Sequence, residues 1–238
     1  MYVQTLILTL MLFAVSPMEA GRLGNHARLL TLEWKQAVAL VRERSVVWHE
    51  VFRSLDVDTV ECEAVIFPEL LRYNRAQDGM EQTALLALYV AGGKEAANFS
   101  VGMFQMKPSF AEEVEAAWMK SPMRHEYKLY FDLSDSRELR RKRISRLSDE
   151  RWQCVYLSVF VKLLMEREPS LAVLLPEERV RLLATAYNYS FTASLDKLKR
   201  RQPQKTFHLD LLPSRKTTYY VYAEIAVEWY SWNKDIVC

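Results

Sequence analysis

Glycine and proline are scarce here, at 6 and 8 residues in a chain of 238. That scarcity argues against an all-β fold and against a disordered chain. Cysteine is limited to Cys62, Cys154 and Cys238. Their spacing suits no metal site, and an odd count leaves at least one thiol unpaired within the chain. A Cys62–Cys154 bridge in an oxidising compartment and buried free thiols both remain open. A large charge excess is missing too: the net charge is +2, too small to make nucleic acid an expected partner. The histidines, His26, His49, His125 and His208, are scattered without ligand spacing, so neither a metal nor a cofactor is expected. There is no phosphate loop, no nucleophile elbow, no internal repeat and no low-complexity tract.

What is present is apolar: half of the residues are hydrophobic, enough for a sizeable core. The apolar run 6–15 is broken only by Thr9 and is too short to span a bilayer comfortably. Ser16-Pro17-Met18-Glu19-Ala20 follows, and 1–20 reads as a secretory signal cleaved before Gly21, although no Lys or Arg precedes the run. A buried N-terminal helix is the alternative. With no cysteine just after Ala20, a lipoprotein anchor is not expected. The reading divides the chain into a leader (1–20), an N-terminal helical extension (21–57) and one domain (58–238).

Helical periodicity dominates. It predicts helices over 29–52, from Asp58 to Tyr73 with Pro68 inside, over 81–89, over 108–118, over 152–166, from 176 to 187 and over 217–232. Asp58 and Glu61 have capping-box spacing. Pro68 is expected to kink its helix beside Glu69. The charged stretch 120–150 predicts short surface helices, and the basic cluster of Arg137, Arg140, Arg141, Lys142, Arg143 and Arg146 reads as a solvated helix face. Trp229, Tyr230 and Trp232 read as packing. No strand is expected.

The chemistry-bearing segments are Phe67-Pro68-Glu69-Leu70, then Gly102-Met103-Phe104-Gln105, then Ala186-Tyr187-Asn188. Glu69 sits among Ile66, Phe67, Leu70 and Leu71, a setting that favours the protonated form needed to attack a glycosidic oxygen. Gly102 permits a sharp turn, and Gln105 offers a donor and an acceptor to a sugar. Tyr187 can hydrogen-bond a carboxyl group, and Asn188 can fix a turn. No second carboxylate occurs in the latter two segments, which favours a reaction that one carboxylate can run.

In that order, the segments resemble the Slt-type lytic transglycosylases of the lysozyme-like superfamily, over roughly residues 58–192. The family pattern is a helix-borne catalytic Glu followed by Ser, then Gly-Leu-Met-Gln, then Ala-Tyr-Asn-Ala-Gly. Glu69 matches the acid, Gly102 and Gln105 match the second segment, and Ala186-Tyr187-Asn188 match the third. Leu70 replaces the Ser, and Tyr189-Ser190 replaces Ala-Gly. The resemblance implies a mostly α, lysozyme-like helical domain. It implies cleavage of the β-1,4 bond between N-acetylmuramic acid and N-acetylglucosamine in peptidoglycan, leaving a 1,6-anhydro end. Glu69 would be catalytic, Tyr187 would position it, and Gly102, Met103, Gln105 and Asn188 would line the glycan groove. The partners implied are glycan strands, and envelope-complex proteins on a non-catalytic reading. The expected location is beyond the inner membrane, in the periplasm or envelope. A water-using hydrolase and a non-catalytic glycan-binding protein on the same fold are the alternatives.

Overall fold

The computed structural model describes residues 24–73, 79–210 and 213–234. The leader at 1–20 and Cys238 lie outside the described residues. The described chain is mostly helical and has no strand. Its extended pairing consists of isolated bridges between Val101 and Met106 and between Phe207 and Tyr220. The helices are α1 (Asn25–Leu29), α2 (Thr31–Ser54), α3 (Thr59–Tyr73), α4 (Gly79–Gly92), α5 (Pro108–Trp118), α6 (Met123–Glu126), α7 (Arg137–Ser148), α8 (Glu150–Arg167), α9 (Pro176–Tyr189), α10 (Leu195–Arg201) and α11 (Tyr222–Asn233). No described helix is long and apolar enough to cross a membrane.

Helix α3 is the centre of the packing. Every residue from Thr59 to Leu71 is buried, Glu61, Glu63 and Glu69 included. Helices α2, α8, α9 and α11 pack around it. The Phe67 ring lies flat on Trp229, with centroids 4.1 Å apart, and takes the edge of Trp34 at 4.7 Å. Burying one such side chain contributes roughly 1.5–3 kcal/mol. Segment 21–57, read as an extension, supplies α1 and α2 to this same core through Ala27, Trp34 and Trp48.

The start of α3 is half of the expected capping box. Asp58 Oδ1 accepts the Glu61 N–H at 2.8 Å. The Glu61 carboxylate turns instead to Arg179 of α9, whose Nε lies 2.9 and 3.0 Å from its oxygens. Further along, the helix runs through Pro68 without ending. Proline has no N–H for the Ala64 carbonyl. One residue on, the buried hydroxyl of Tyr222 from α11 donates to the Val65 carbonyl at 2.9 Å.

The basic cluster is a solvated face only in part. Arg137, Arg141 and Lys142 are exposed, whereas Arg140, Arg143 and Arg146 are buried. Arg140 donates to the carbonyls of Val90 and Ala91, the last turn of α4, at 3.0 and 3.2 Å. Arg143 Nε reaches the fully buried Glu115 of α5 at 2.9 Å, and its Nη1 reaches the Tyr89 hydroxyl at 2.7 Å. Tyr156 of α8 also donates to Glu115. Arg146 lies over the Trp152 ring at 4.5 Å. One carboxylate therefore ties α5 to α7 and α8, because an ionised buried group needs both charge and hydrogen bonds to offset its lost hydration.

One further departure is local. The last helix begins at Tyr222, not at 217. The β-branched and aromatic run from Thr217 to Val221 favours extended backbone, and Tyr220 donates to the Phe207 carbonyl at 2.7 Å. Cys62 and Cys154 are free, buried thiols, and burial pushes both well up from the ordinary thiol range.

Glu115→Ala strips Arg146 of its carboxylate and leaves Arg143 with only the longer contact to Glu112, at 3.4 Å. It should cost about 3–5 kcal/mol, read as a lowered urea midpoint. Exposed Arg141→Ala should change that midpoint little.

Candidate active site

A cavity of about 340 Å³ opens beside the C-terminal half of α3. Glu69 and Arg72 line it from α3, and Gln105, Met106 and Lys107 from the turn ahead of α5. Glu113 lines it from α5, and Tyr187 and Asn188 from α9. Asn98, Ser100 and Ser109 add further amide and hydroxyl groups. Of the residues singled out in the sequence, Glu69, Gln105, Tyr187 and Asn188 are thus brought together. Gly102 and Met103 are not among the lining residues. Met103 packs against the core, and Gly102 lies against Gln153 and Leu147.

The turn that carries Gln105 is a small closed loop. Val101 and Met106 exchange backbone hydrogen bonds at 2.9 and 3.1 Å, enclosing Gly102 to Gln105. Gly102 and Gln105 both take left-handed backbone angles, φ +69° and +53°. Glycine adopts that region without steric penalty, whereas Gln105 is strained there and is held by its surroundings. Its Nε2 donates to the Gly102 carbonyl at 2.8 Å, and its backbone N–H donates to the same oxygen at 3.2 Å. One of its two amide donors is therefore spent inside the turn.

Two side chains from distant helices clamp this loop. Gln153 of α8 is buried, donates to the Val101 and Leu147 carbonyls at 3.0 and 2.6 Å, and accepts the Phe104 N–H at 3.2 Å. Tyr187 donates its hydroxyl to the Phe104 carbonyl at 2.6 Å. Tyr187 was expected to act on Glu69. Its hydrogen bond goes instead to the turn, and its ring packs on Phe110 and Phe160, with centroids 5.4 and 5.7 Å apart. It holds α9 against the Gln105 loop, and so places two walls of the cavity relative to each other.

Glu69 is buried, 4% exposed, with one carboxylate oxygen 2.9 Å from Arg72 Nη2. Burial raises its pKa above the ordinary carboxylate range, opposed by the Arg72 charge and hydrogen bond, by Lys107 and by His208. Desolvation prevails over the cations, so the protonated form is favoured relative to a solvated glutamate. The same burial, with the Glu69 charge adding to it, pushes the phenols of Tyr187 and Tyr222 well up, and both remain hydroxyl donors. Leu70, the next residue, is wholly buried in the core and takes no part in the cavity.

Glu113 is a second carboxylate on the cavity, where the sequence segments offered none. It is exposed, and partial desolvation raises its pKa, with Lys94 opposing and Glu112 adding to the rise. Sequence reasoning also passed over Arg72, Lys107, Gln153 and Tyr222. Only Arg72 carried a local signal, its i,i+3 spacing from Glu69. The others depend on how α5, α8 and α11 dock. Among the described residues no group of His, Cys, Asp and Glu could hold a metal ion. The chain matches no known family model, no curated protein and no solved structure.

A Cβ on Gly102 would stand 1.7 Å from Gln153 Nε2 and 2.6 Å from the Leu147 carbonyl oxygen. Gly102→Ala therefore combines backbone strain with a clash and should destabilise the protein by roughly 2–4 kcal/mol. Gln153→Ala should cost about 1–3 kcal/mol by orphaning buried backbone groups. Urea unfolding checks both, and a loss below half a kcal/mol for Gly102→Ala would contradict both the backbone strain and the clash.

Proposed function

We propose that this chain is a lysozyme-like, Slt-type lytic transglycosylase that cleaves the N-acetylmuramic acid to N-acetylglucosamine bond of peptidoglycan, in the periplasm or envelope. One observation carries the reading. Glu69, Gln105 and Tyr187-Asn188, far apart in sequence, line one cavity, with the carboxyl buried and held above the usual carboxylate range. A proton donor near neutral pH requires that combination. The amide and hydroxyl side chains around it suit sugar hydroxyl and acetamido groups.

In this scheme Glu69 gives its proton to the glycosidic oxygen as the bond to muramic carbon-1 breaks. The resulting carboxylate then takes the proton of the carbon-6 hydroxyl, whose oxygen closes onto carbon-1. Glu69 ends protonated and no water is consumed. Ser100, Ser109 and Ser190 bring serine hydroxyls to the cavity, with Leu70 occupying the position where the family has its Ser.

A hydrolase is the second reading, and Glu113 favours it. A second carboxylate on the same cavity can activate water, as two-carboxylate glycosidases do.

Glu69→Gln should abolish muropeptide release from purified peptidoglycan while the circular dichroism and melting curve stay native. Mass analysis of wild-type products separates the readings: anhydro ends for transglycosylation, reducing ends for hydrolysis. Glu113→Gln should spare the first reaction and cripple the second. A Glu69→Gln protein that still releases muropeptides would take the acid role away from Glu69, and a wild-type protein that releases none would leave only a glycan-binding or structural role.

The pH dependence has a definite sign. An acid must be protonated when it attacks, so kcat falls as pH rises through the raised Glu69 value. A stopped-assay pH series checks this, and a rate that climbs steadily from acid to alkaline pH contradicts it.

A further inference from the structure

Arg72 occupies the same cavity as Glu69 and is incompletely used. Its Nη2 donates to Glu69 at 2.9 Å, and its guanidinium lies over the Phe207 ring at 5.6 Å. Its Nε is buried and has no hydrogen-bond acceptor. A guanidinium presents a planar fork suited to a carboxylate, and an unfilled buried donor on it is costly until an acceptor arrives. The Arg72 side chain is 23% exposed and lines the cavity, so an incoming group can reach it, whereas the Glu69 side chain is 6% exposed.

We propose that Arg72 is a substrate-operated latch: a carboxylate on the incoming glycan captures its guanidinium, releases Glu69 from the ion pair and so lets Glu69 load the proton it must donate. This rests on the glycan-cleaving reading above, where the carboxylate is the lactyl group of muramic acid. A neutral sugar polymer lacks that group and would leave Glu69 paired with Arg72.

The charges around Glu69 support the direction of the change. Arg72 comes from its own helix, Lys107 from the start of α5, His208 from the stretch ahead of α11, and Glu113 lines the same cavity from α5. Tyr187 of α9 and Tyr222 of α11 face it as neutral phenols. Helices α2 and α8 bring His49 to Glu63 and Cys154 near Cys62, at the other end of α3. Arg72 is thus the cation bonded directly to Glu69, and burial already favours the protonated acid. Removing Arg72 from the pair leaves burial less opposed, so Glu69 takes up a proton from solvent between its paired and unpaired pKa values.

Calorimetry in buffers of different ionisation enthalpy tests this, using the anhydro-muramyl disaccharide and the same sugar with its carboxyl reduced to an alcohol. The wild-type protein should take up a measurable fraction of a proton per carboxylate ligand at mildly acidic pH and none with the alcohol. It should also bind the carboxylate about tenfold more tightly, the worth of one charge-assisted hydrogen bond. In Arg72→Met both differences should vanish, because Glu69 is already protonated and the fork is gone. Arg72→Lys should restore part of the affinity difference. Kinetics on peptidoglycan give an independent reading. The alkaline limb of kcat should lie above that of kcat/KM in the wild type and coincide with it in Arg72→Met, since the two report bound and free enzyme. Equal limbs in the wild type, or equal proton uptake with both ligands, overturn the latch. An inactive Glu69→Gln beside that result would leave the glycan-cleaving reading intact, whereas a wild-type protein that releases no muropeptides would sink that reading itself.

Discussion

The burial of α3 from Thr59 to Leu71 is the constraint on which the rest depends. A helical stretch with no solvent face must find a partner for each polar group it carries, and the buried part of α3 carries Glu61, Glu63 and Glu69. Glu61 takes Arg179 from α9, and Glu63 takes His49 from α2 at 2.6 Å. These pairs fasten neighbouring helices to the central one. Glu69 differs in having its cationic partner, Arg72, on its own helix and on a cavity. The carboxylates engaged across helices are ties. The one paired within its helix is free to change partner without loosening a helix contact. Such buried pairs contribute little net stability when intact, and their cost appears when one member is removed.

The Gly102–Gln105 turn is the second element, and it is held from both sides. Gln153 of α8 and Tyr187 of α9 each bond its Phe104 backbone, and the Phe104 ring meets the edge of Trp48 from α2, with centroids 5.1 Å apart. The strain in the Gln105 backbone is tolerable because the closed hydrogen bonds leave the loop no relaxed alternative. The buried Glu115 network plays the matching role for α5, which leads out of that turn and carries Glu113 to the cavity.

Much of this was legible in the residues. The helices, the burial of the aromatics near the C-terminus and the apolar setting of Glu69 follow from periodicity and composition, which act locally. The errors share one cause. Arg140, Arg143 and Arg146 read as part of a solvated face because a charge run usually is one. Their burial depends on Glu115, Tyr89 and the end of α4, which no local pattern places beside them. Gly102 and Met103 read as groove residues, but the groove side of a turn is chosen by what the turn packs against.

By itself the sequence determined a mostly helical chain, an acid among apolar neighbours and the chain order of Glu69, Gly102, Gln105 and Tyr187. Those properties rest on spacing along the chain and on side-chain hydropathy. Only the tertiary structure decided that Glu69 shares its cavity with Arg72, Lys107 and Glu113, and that Tyr187 spends its hydroxyl on Phe104. Which charges meet in a cavity is set by the docking of whole helices. Hydrophobic burial drives that docking but has no direction of its own, so the final register is chosen by a few hydrogen bonds between residues distant in sequence.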